Sequence, residues 1–356
     1  MMSDLIAASI NLLKELIQIP SFSKEEAGTA DRIERFFNEQ GIRCYRQLNN
    51  IWVFNKHVDK NKPTILLNSH HDTVKPNTGY TRDPFKAEIA DGKLYGLGSN
   101  DAGGPLVSLL AAFLHFYPKS NLTYNLCFAA TAEEEISGRN GIELILPLIG
   151  PLDFAIVGEP TEMQLAIAEK GLMVLDCTAH GTSGHAAREE GDNAIYKALV
   201  DIEWFRTFKF PKESAVFGPV KMSVTMIQAG AQHNVVPATC SFVVDVRTTD
   251  AYTNEEVLAI IRQHVSSDVQ ARSTRLNPSS IAVEHPFVQG GLALGRKTYG
   301  SPTMSDQALI PVASLKIGPG DSARSHSADE FIYISEIEEG IKLYIALLER
   351  YKVNRL

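Results

Sequence analysis

The chain has 356 residues, 44% hydrophobic and 21% charged, with a formal net charge of -8. That length exceeds one small core and accommodates two domains, and an acidic balance without any Lys/Arg run excludes general nucleic-acid binding. No apolar run approaches the ~18 residues of a membrane span, and Cys44, Cys127, Cys177 and Cys240 form no CxxC, so free thiols in a cytoplasmic chain are expected, buried at Cys127 and Cys240.

Leu5 to Ile19 is apolar at helical spacing (Leu5, Ile6, Leu12, Leu13, Leu16, Ile17) and closes at Pro20. Asp4, Lys14 and Glu15 distinguish this amphipathic helix from a signal peptide. Residues 25–40 read as a second helix, with Ile33, Phe36 and Phe37 inward and Gly41 as its stop. Residues 44–48, 51–55 and 64–68 read as strands. The last stops at Ser69 and hands His70, His71 and Asp72 to a loop. Residues 86–95 read as a hairpin turning at Asp91-Gly92. Asp101 stands at the mouth of an apolar helix, 102–117. A strand over 124–130 runs into Glu133, Glu134 and Glu135; a helix over 141–146 then leads to the strand 154–157, which ends at Glu159.

This alternation predicts an α/β fold: a mainly parallel sheet with helices on both faces. Ligands of such sheets bind beyond the carboxyl ends of the strands, where His70, the glutamates and Glu159 all fall. After Lys170 the pattern changes. Strands at 172–179, 220–228, 239–248 and 269–276, with helices at 193–205 and 253–265, give a β-α-β-β-α-β order resembling a ferredoxin-like α+β sandwich. Thr253 and Glu256 form a capping box. Leu315 to Ile317 returns to the first type of strand, and 335–351 closes the chain as a helix with Ser335 and Glu338 as its capping box. The domains are expected at 1–171 with 289–356, and at 172–288 as an insertion.

Imidazoles and carboxylates arriving at strand ends from distant sequence suit a hydrolytic metal centre. Each residue has a plainer reading by itself. Asp101 fits a helix N-cap, the acid triplet a solvated turn, Glu159 a turn residue and His326 a surface histidine. The triplet needs only two members for chemistry: one to bind metal and a neighbour, unligated, to act as general base. A carboxylate at Asp72 can orient His70.

Five spaced stretches, LLNSHHDTV, GLGSNDAGG, TAEEEISG, VGEPT and GPGDSARSHSADE, together resemble the M20 family of metal-dependent amidohydrolases over nearly the whole chain. That family includes acetylornithine deacetylase, succinyl-diaminopimelate desuccinylase and a carboxypeptidase that cleaves glutamate amides. The resemblance implies two zinc ions per chain, with cobalt or manganese as substitutes. His70 and Glu159 would hold one, Glu135 and His326 the other, and Asp101 would bridge them. Glu134 would be the general base, with Asp72 behind His70. It also implies a cis peptide at Asp101-Ala102. Ser69 stands where the family usually has Gly, and Glu133 where it often has Asp. In the insertion, His185 resembles a lid histidine that polarises the substrate carbonyl, often across a dimer interface, while Asn234 and Arg247 resemble groups that hold the substrate carboxylate. Arg247 is also open to pairing with Asp245. The expected partners are a small N-acyl amino acid and a second copy of the chain. Acetylornithine, with arginine biosynthesis, is the first substrate read. A succinyl-diaminopimelate, an acetylcitrulline, a succinylornithine or a dipeptide is the alternative. Asp306, Glu189 and Glu190 are candidates to receive an ornithine ammonium. A non-catalytic protein on the same fold would lack the base or a ligand, and here every position is filled.

Overall fold

In the computed structural model, which describes residues 2–188 and 190–351, the apolar run at Thr64 becomes the strand Thr64–His70, buried from Ile65 onward. It runs further than its sequence signals. His70 is its last residue and not a loop residue, because Thr131 of the parallel neighbour Asn125–Thr131 still pairs with it. The strand Phe154–Val157 flanks the other side, also parallel, and Ser314–Lys316 extends the parallel centre beyond it. Antiparallel strands continue the sheet outward: Asn50–Phe54 and Tyr45–Gln47 at one side, Leu165–Glu169 at the other. The sheet is thus mixed, with a parallel core.

Both faces of that core are covered, which is why its strands read as continuous apolar runs and not as alternating ones. Successive side chains still go to opposite sides. Ile65 and Leu67 join Leu12, Phe37, Phe113 and Tyr344 in one cluster, whereas Leu66 joins Cys127, Ile142 and Ile145 in the other. The first cluster is roofed by the helices Met2–Ile17, Ala27–Glu39, Gly104–Phe116 and Ile334–Arg350; the second by Ile142–Ile149. The hairpin forms as expected, Glu88–Ala90 against Lys93–Tyr95, with Asp91 and Gly92 both at positive φ, as a two-residue type I′ turn requires.

Two helix starts differ from the sequence reading. The helix after Asp101 begins at Gly104, following a distorted turn over Ser99–Gly103. Asp101 is therefore too far upstream to be an N-cap, and its peptide bond to Ala102 is cis. The closing helix begins at Ile334, so Ser335 is already inside it and cannot cap. Instead Glu336 reaches back to the Tyr333 N–H at 3.0 Å.

The chain divides into two units, Met1–Ile167 with Ser280–Tyr299 and Ser305–Leu356, and Ala168–Ser279 with Gly300–Met304. These divisions fall before Lys170 and well before Val288. The second unit is the expected sandwich. Its antiparallel strands, Gly171–His180, Lys221–Ala229, Thr239–Thr248 and Asp268–Ala271, lie in the ferredoxin-like order second-third-first-fourth. Ala194–Thr207 and Asn254–His264 cover one face, packing Ala198, Phe205, Val257 and Ile261 on Leu175, Phe242 and Val244. The Thr253–Glu256 capping box is present. All four cysteines are free, with Cys127, Cys177 and Cys240 buried. Among the described residues, no helix is long and apolar enough to cross a membrane.

Candidate metal centre

Four parallel strands ending side by side bring the first unit's chemistry together. His70 ends Thr64–His70, Thr131 leads into the acid triplet, Glu159 follows Phe154–Val157, and His326 lies beyond Ser314–Lys316. The Gly158 N–H is held by the Asn68 carbonyl at 2.7 Å, and a Cβ on Gly158 would come within 2.6 Å of the Leu109 side chain and 3.1 Å of Ser69 Cβ, so glycine eases the close approach of the Glu159 turn to the neighbouring helix. Ser69 is accommodated, its hydroxyl donating to the Gly158 carbonyl at 2.8 Å.

Asp101 is the centre of the geometry. Its Oδ1 lies 3.2 Å from His70 Nε2 and its Oδ2 3.8 Å from His326 Nε2. Glu159 Oε1 is 3.7 Å from His70 Nε2, and Glu135 Oε2 is 3.0 Å from His326 Nε2. Two groups result, His70–Asp101–Glu159 and Asp101–Glu135–His326, each with its ligand atoms within 4.8 Å of one another. Glu134 belongs to neither group, although its Oε2 lies 3.9 Å from His70 Nε2.

Electrostatics favour cations here. Burial, together with Glu159, Asp306 and Glu135, raises the Glu134 carboxyl well above its usual range. Burial opposes charge on His70, yet Glu134, Asp101 and Asp72 hold its pKa well above the usual imidazole value. A hydrogen bond to Glu135 raises His326 to about 9. Carboxylates crowded around two imidazoles, in groups that share one aspartate, suit a pair of divalent ions.

Three buried carboxylates hold the loops. Asp72 is fully buried; its Oδ1 and Oδ2 accept the Glu134 and Glu135 N–H groups at 3.1 and 3.2 Å, and Ser23 adds a third bond. The position behind His70 is shared: the Asp72 backbone carbonyl lies 3.0 Å from His70 Nδ1 and the carboxylate 3.4 Å. Glu26 accepts the Lys24 and Glu133 N–H groups and the Asn49 amide. Glu330 accepts the Gly98, Asn100 and Asp101 N–H groups. Neither Glu26 nor Glu330 is singled out by sequence reasoning; a carboxylate that binds backbone N–H groups leaves no spacing signal. Glu133 turns with positive φ and accepts the Asn140 side chain at 2.9 Å.

Asp306 is not a solvated surface charge. It is only 3% exposed, and its Oδ2 already accepts from Asn68 and Thr131 at 2.8 and 2.7 Å. Burial raises its pKa to about 6. These bonds occupy one of its two oxygens and tie it to the strands Thr64–His70 and Asn125–Thr131. Glu190 is exposed in the second unit, and Glu189 lies outside the described residues.

The second unit brings two of its three nominated residues together. The short strand Gly184–His185 pairs with Val235–Val236, and the Ala186 N–H donates to the Asn234 carbonyl at 3.1 Å. His185 is exposed, with Nδ1 accepting the Ala187 N–H. Arg247 lies on the uncovered sheet face with its guanidinium forked onto Asp245 at 2.8 and 3.1 Å, the pairing left open by the sequence.

Comparison with known proteins agrees with this architecture. Succinyl-diaminopimelate desuccinylase 2 of Ruegeria sp. (strain TM1040) is 29% identical over 275 residues, 72% of this chain and 69% of the relative. The aminopeptidase PepT from Bacillus cereus superposes with a TM-score of 0.75 at 18% identity, covering 97% of this chain and 98% of the other. The Bacillus subtilis YXEP protein, described as a dinuclear metal-binding peptidase, gives a TM-score of 0.71 at 15% identity, covering 98% and 100%. The model of peptidase family M20/M25/M40 matches residues 66–350, most of the sequence, and the chain belongs to that family of metal-dependent hydrolases.

Proposed function

We propose that this hydrolase cleaves the amide bond of an N-acyl amino acid with two divalent ions, zinc being the first candidate. One observation carries the reading: Asp101 offers one oxygen toward His70 and the other toward His326, while Glu134 stands beside His70 outside both ligand groups. His70 with Glu159 and His326 with Glu135 would complete the two sites. Ions bound there would lower the pKa of water toward ~7 and polarise the acyl carbonyl. Glu134 takes the proton of the attacking water and returns it to the leaving amine, so that one C–O bond forms as the C–N bond breaks. Asp72 keeps Glu134 in place through the backbone of its loop. His185 is assigned to polarising the same carbonyl, and Asn234 and Arg247 to the substrate carboxylate, which the planar guanidinium fork suits.

Succinyl is the first acyl group to try. The likeness to a succinyl-diaminopimelate desuccinylase supports it. A homodimer through the second unit is supported by the exposed Tyr196, Leu199 and Val200 on its helix and by Met226 and Ile227 on its edge strand. The test is metal analysis of the purified protein, followed by amine release from N-succinyl-diaminopimelate, N-acetylornithine and a dipeptide. Bound metal with turnover of one acyl amino acid is expected. A protein that binds no metal and cleaves none of them overturns the proposal.

A further inference from the structure

We infer that Glu330 is a positioning residue that shapes the bridging aspartate's loop before any metal arrives. The inference rests on the metal-site reading above and extends it to a residue outside both ligand groups. Glu330 is 2% exposed. Its Oε1 accepts the N–H of Asn100 at 2.8 Å and of Asp101 itself at 2.9 Å, and its Oε2 accepts the N–H of Gly98 at 2.9 Å. One carboxylate thus fixes successive peptide units of the turn on either side of Ser99. Such convergence of backbone donors on a single carboxyl group holds a loop more stiffly than bonds to separate acceptors would.

The grip falls on the backbone of Asp101, which leaves the Asp101 carboxylate free to face His70 and His326. A second pair of bonds ties the same two segments: the Asn100 side chain donates to the Asp321 carbonyl at 3.0 Å and accepts the Asp321 N–H at 3.1 Å. The segment that carries His326 therefore does two jobs. It presents an imidazole to one ligand group, and four residues later it grips the loop of the aspartate shared by both. Glutamate is specifically suited. In Glu330→Gln the retained oxygen can serve only one side of the cradle, and the new NH2 group faces an N–H that it cannot accept.

The experiment measures metal affinity by competition with a chromophoric chelator, for the wild type, Glu330→Gln and Asp201→Asn. Asp201 is a control of the same kind in the other unit, a buried carboxylate holding the Ser266 and Ser267 N–H groups. Glu330→Gln is expected to weaken metal binding by about 10–100-fold, the usual effect of losing a group that orients a ligand. Its metal-free melting temperature should fall, as should that of Asp201→Asn, because a buried backbone donor loses its acceptor, and its activity should recover as free metal is raised. Asp201→Asn should change stability and leave metal affinity unchanged. Wild-type affinity in a folded Glu330→Gln overturns the role of Glu330 alone; a wild type that binds no metal overturns the site reading and this inference together. Should Glu330→Gln fail to fold, hydrogen exchange on the metal-free wild type decides. Slow exchange at Gly98, Asn100 and Asp101 supports the inference, and exchange at open-loop rates overturns it.

Discussion

The candidate metal centre of the first unit and the open sheet face of the second treat their carboxylates in opposite ways. In the first, Glu26, Asp72 and Glu330 are buried and take their hydrogen bonds chiefly from backbone N–H groups of the loops that carry acidic side chains. On the uncovered sheet face of the second, Asp176 and Asp245 pair with Arg272 and Arg247, all partly exposed. A buried anion that binds backbone donors fixes main-chain shape, because each donor belongs to a residue whose position is thereby set. An exposed pair fixes only two flexible side chains and contributes little. The first arrangement builds a site with defined geometry; the second leaves its arginines able to exchange partners.

The comparison breaks most severely at Asp101. Asp101→Ala should lower bound metal in both positions, measured by elemental analysis, and reduce turnover by at least about 10²-fold, the scale of losing one positioned catalytic group; His326→Ala should deplete mainly one position. Metal content and activity unchanged in Asp101→Ala would remove the bridging role. Next in size are the two neighbours cradled by Asp72. Glu134→Ala should keep its metal while kcat falls by about 10²–10⁴-fold, whereas Glu135→Ala should lose metal. The reverse pattern would mean that the roles in the acid triplet are displaced by one residue.

A smaller effect distinguishes a buried imidazole from the exposed pairs. Burial holds His71 neutral and lowers its pKa from 6.5 to about 4, with Thr29 and Asn49 as its partners. Because the folded value is depressed, its contribution is complete above the unfolded value and is lost as pH falls from 6.5 through 4. Denaturant titrations of the metal-free protein at pH 7 and 4.5 should show about 2–3 kcal/mol of acid destabilisation that His71→Gln lacks. Equal losses in both proteins would remove His71 as the cause. The smallest effects belong to the open face. Arg247→Ala should leave the melting temperature unchanged but raise KM for an acyl amino acid by about 10-fold, the cost of a charged hydrogen bond; Arg272→Ala should change neither. Identical kinetics for the two variants would withdraw Arg247 from substrate binding.

The strand ends were legible without coordinates. Apolar runs that stop at a histidine or a glutamate mark both the sheet and the places where its side chains emerge, because burial on two faces forces continuous hydrophobicity. The sandwich order of the second unit and the Thr253 cap were legible for similar reasons of period and local bonding. The Gly104 helix start is missed by the apolar pattern alone, which runs upstream to Ala102, although Gly103-Gly104 and the Pro105 of the first turn mark it.

By itself the sequence determined which chemical groups this protein brings to the ends of its central strands, and in what order, since local pattern and residue type are written along the chain. Tertiary structure alone decided what each group faces. Glu330 finds the Asp101 loop from 229 residues away, and Asp306 finds Asn68 from 238 residues away, so that one acid becomes a clamp and the other is enclosed. Hydrogen bonds act over about 3 Å of space whatever their separation along the chain, and no spacing in the sequence records which distant backbone will come within that reach.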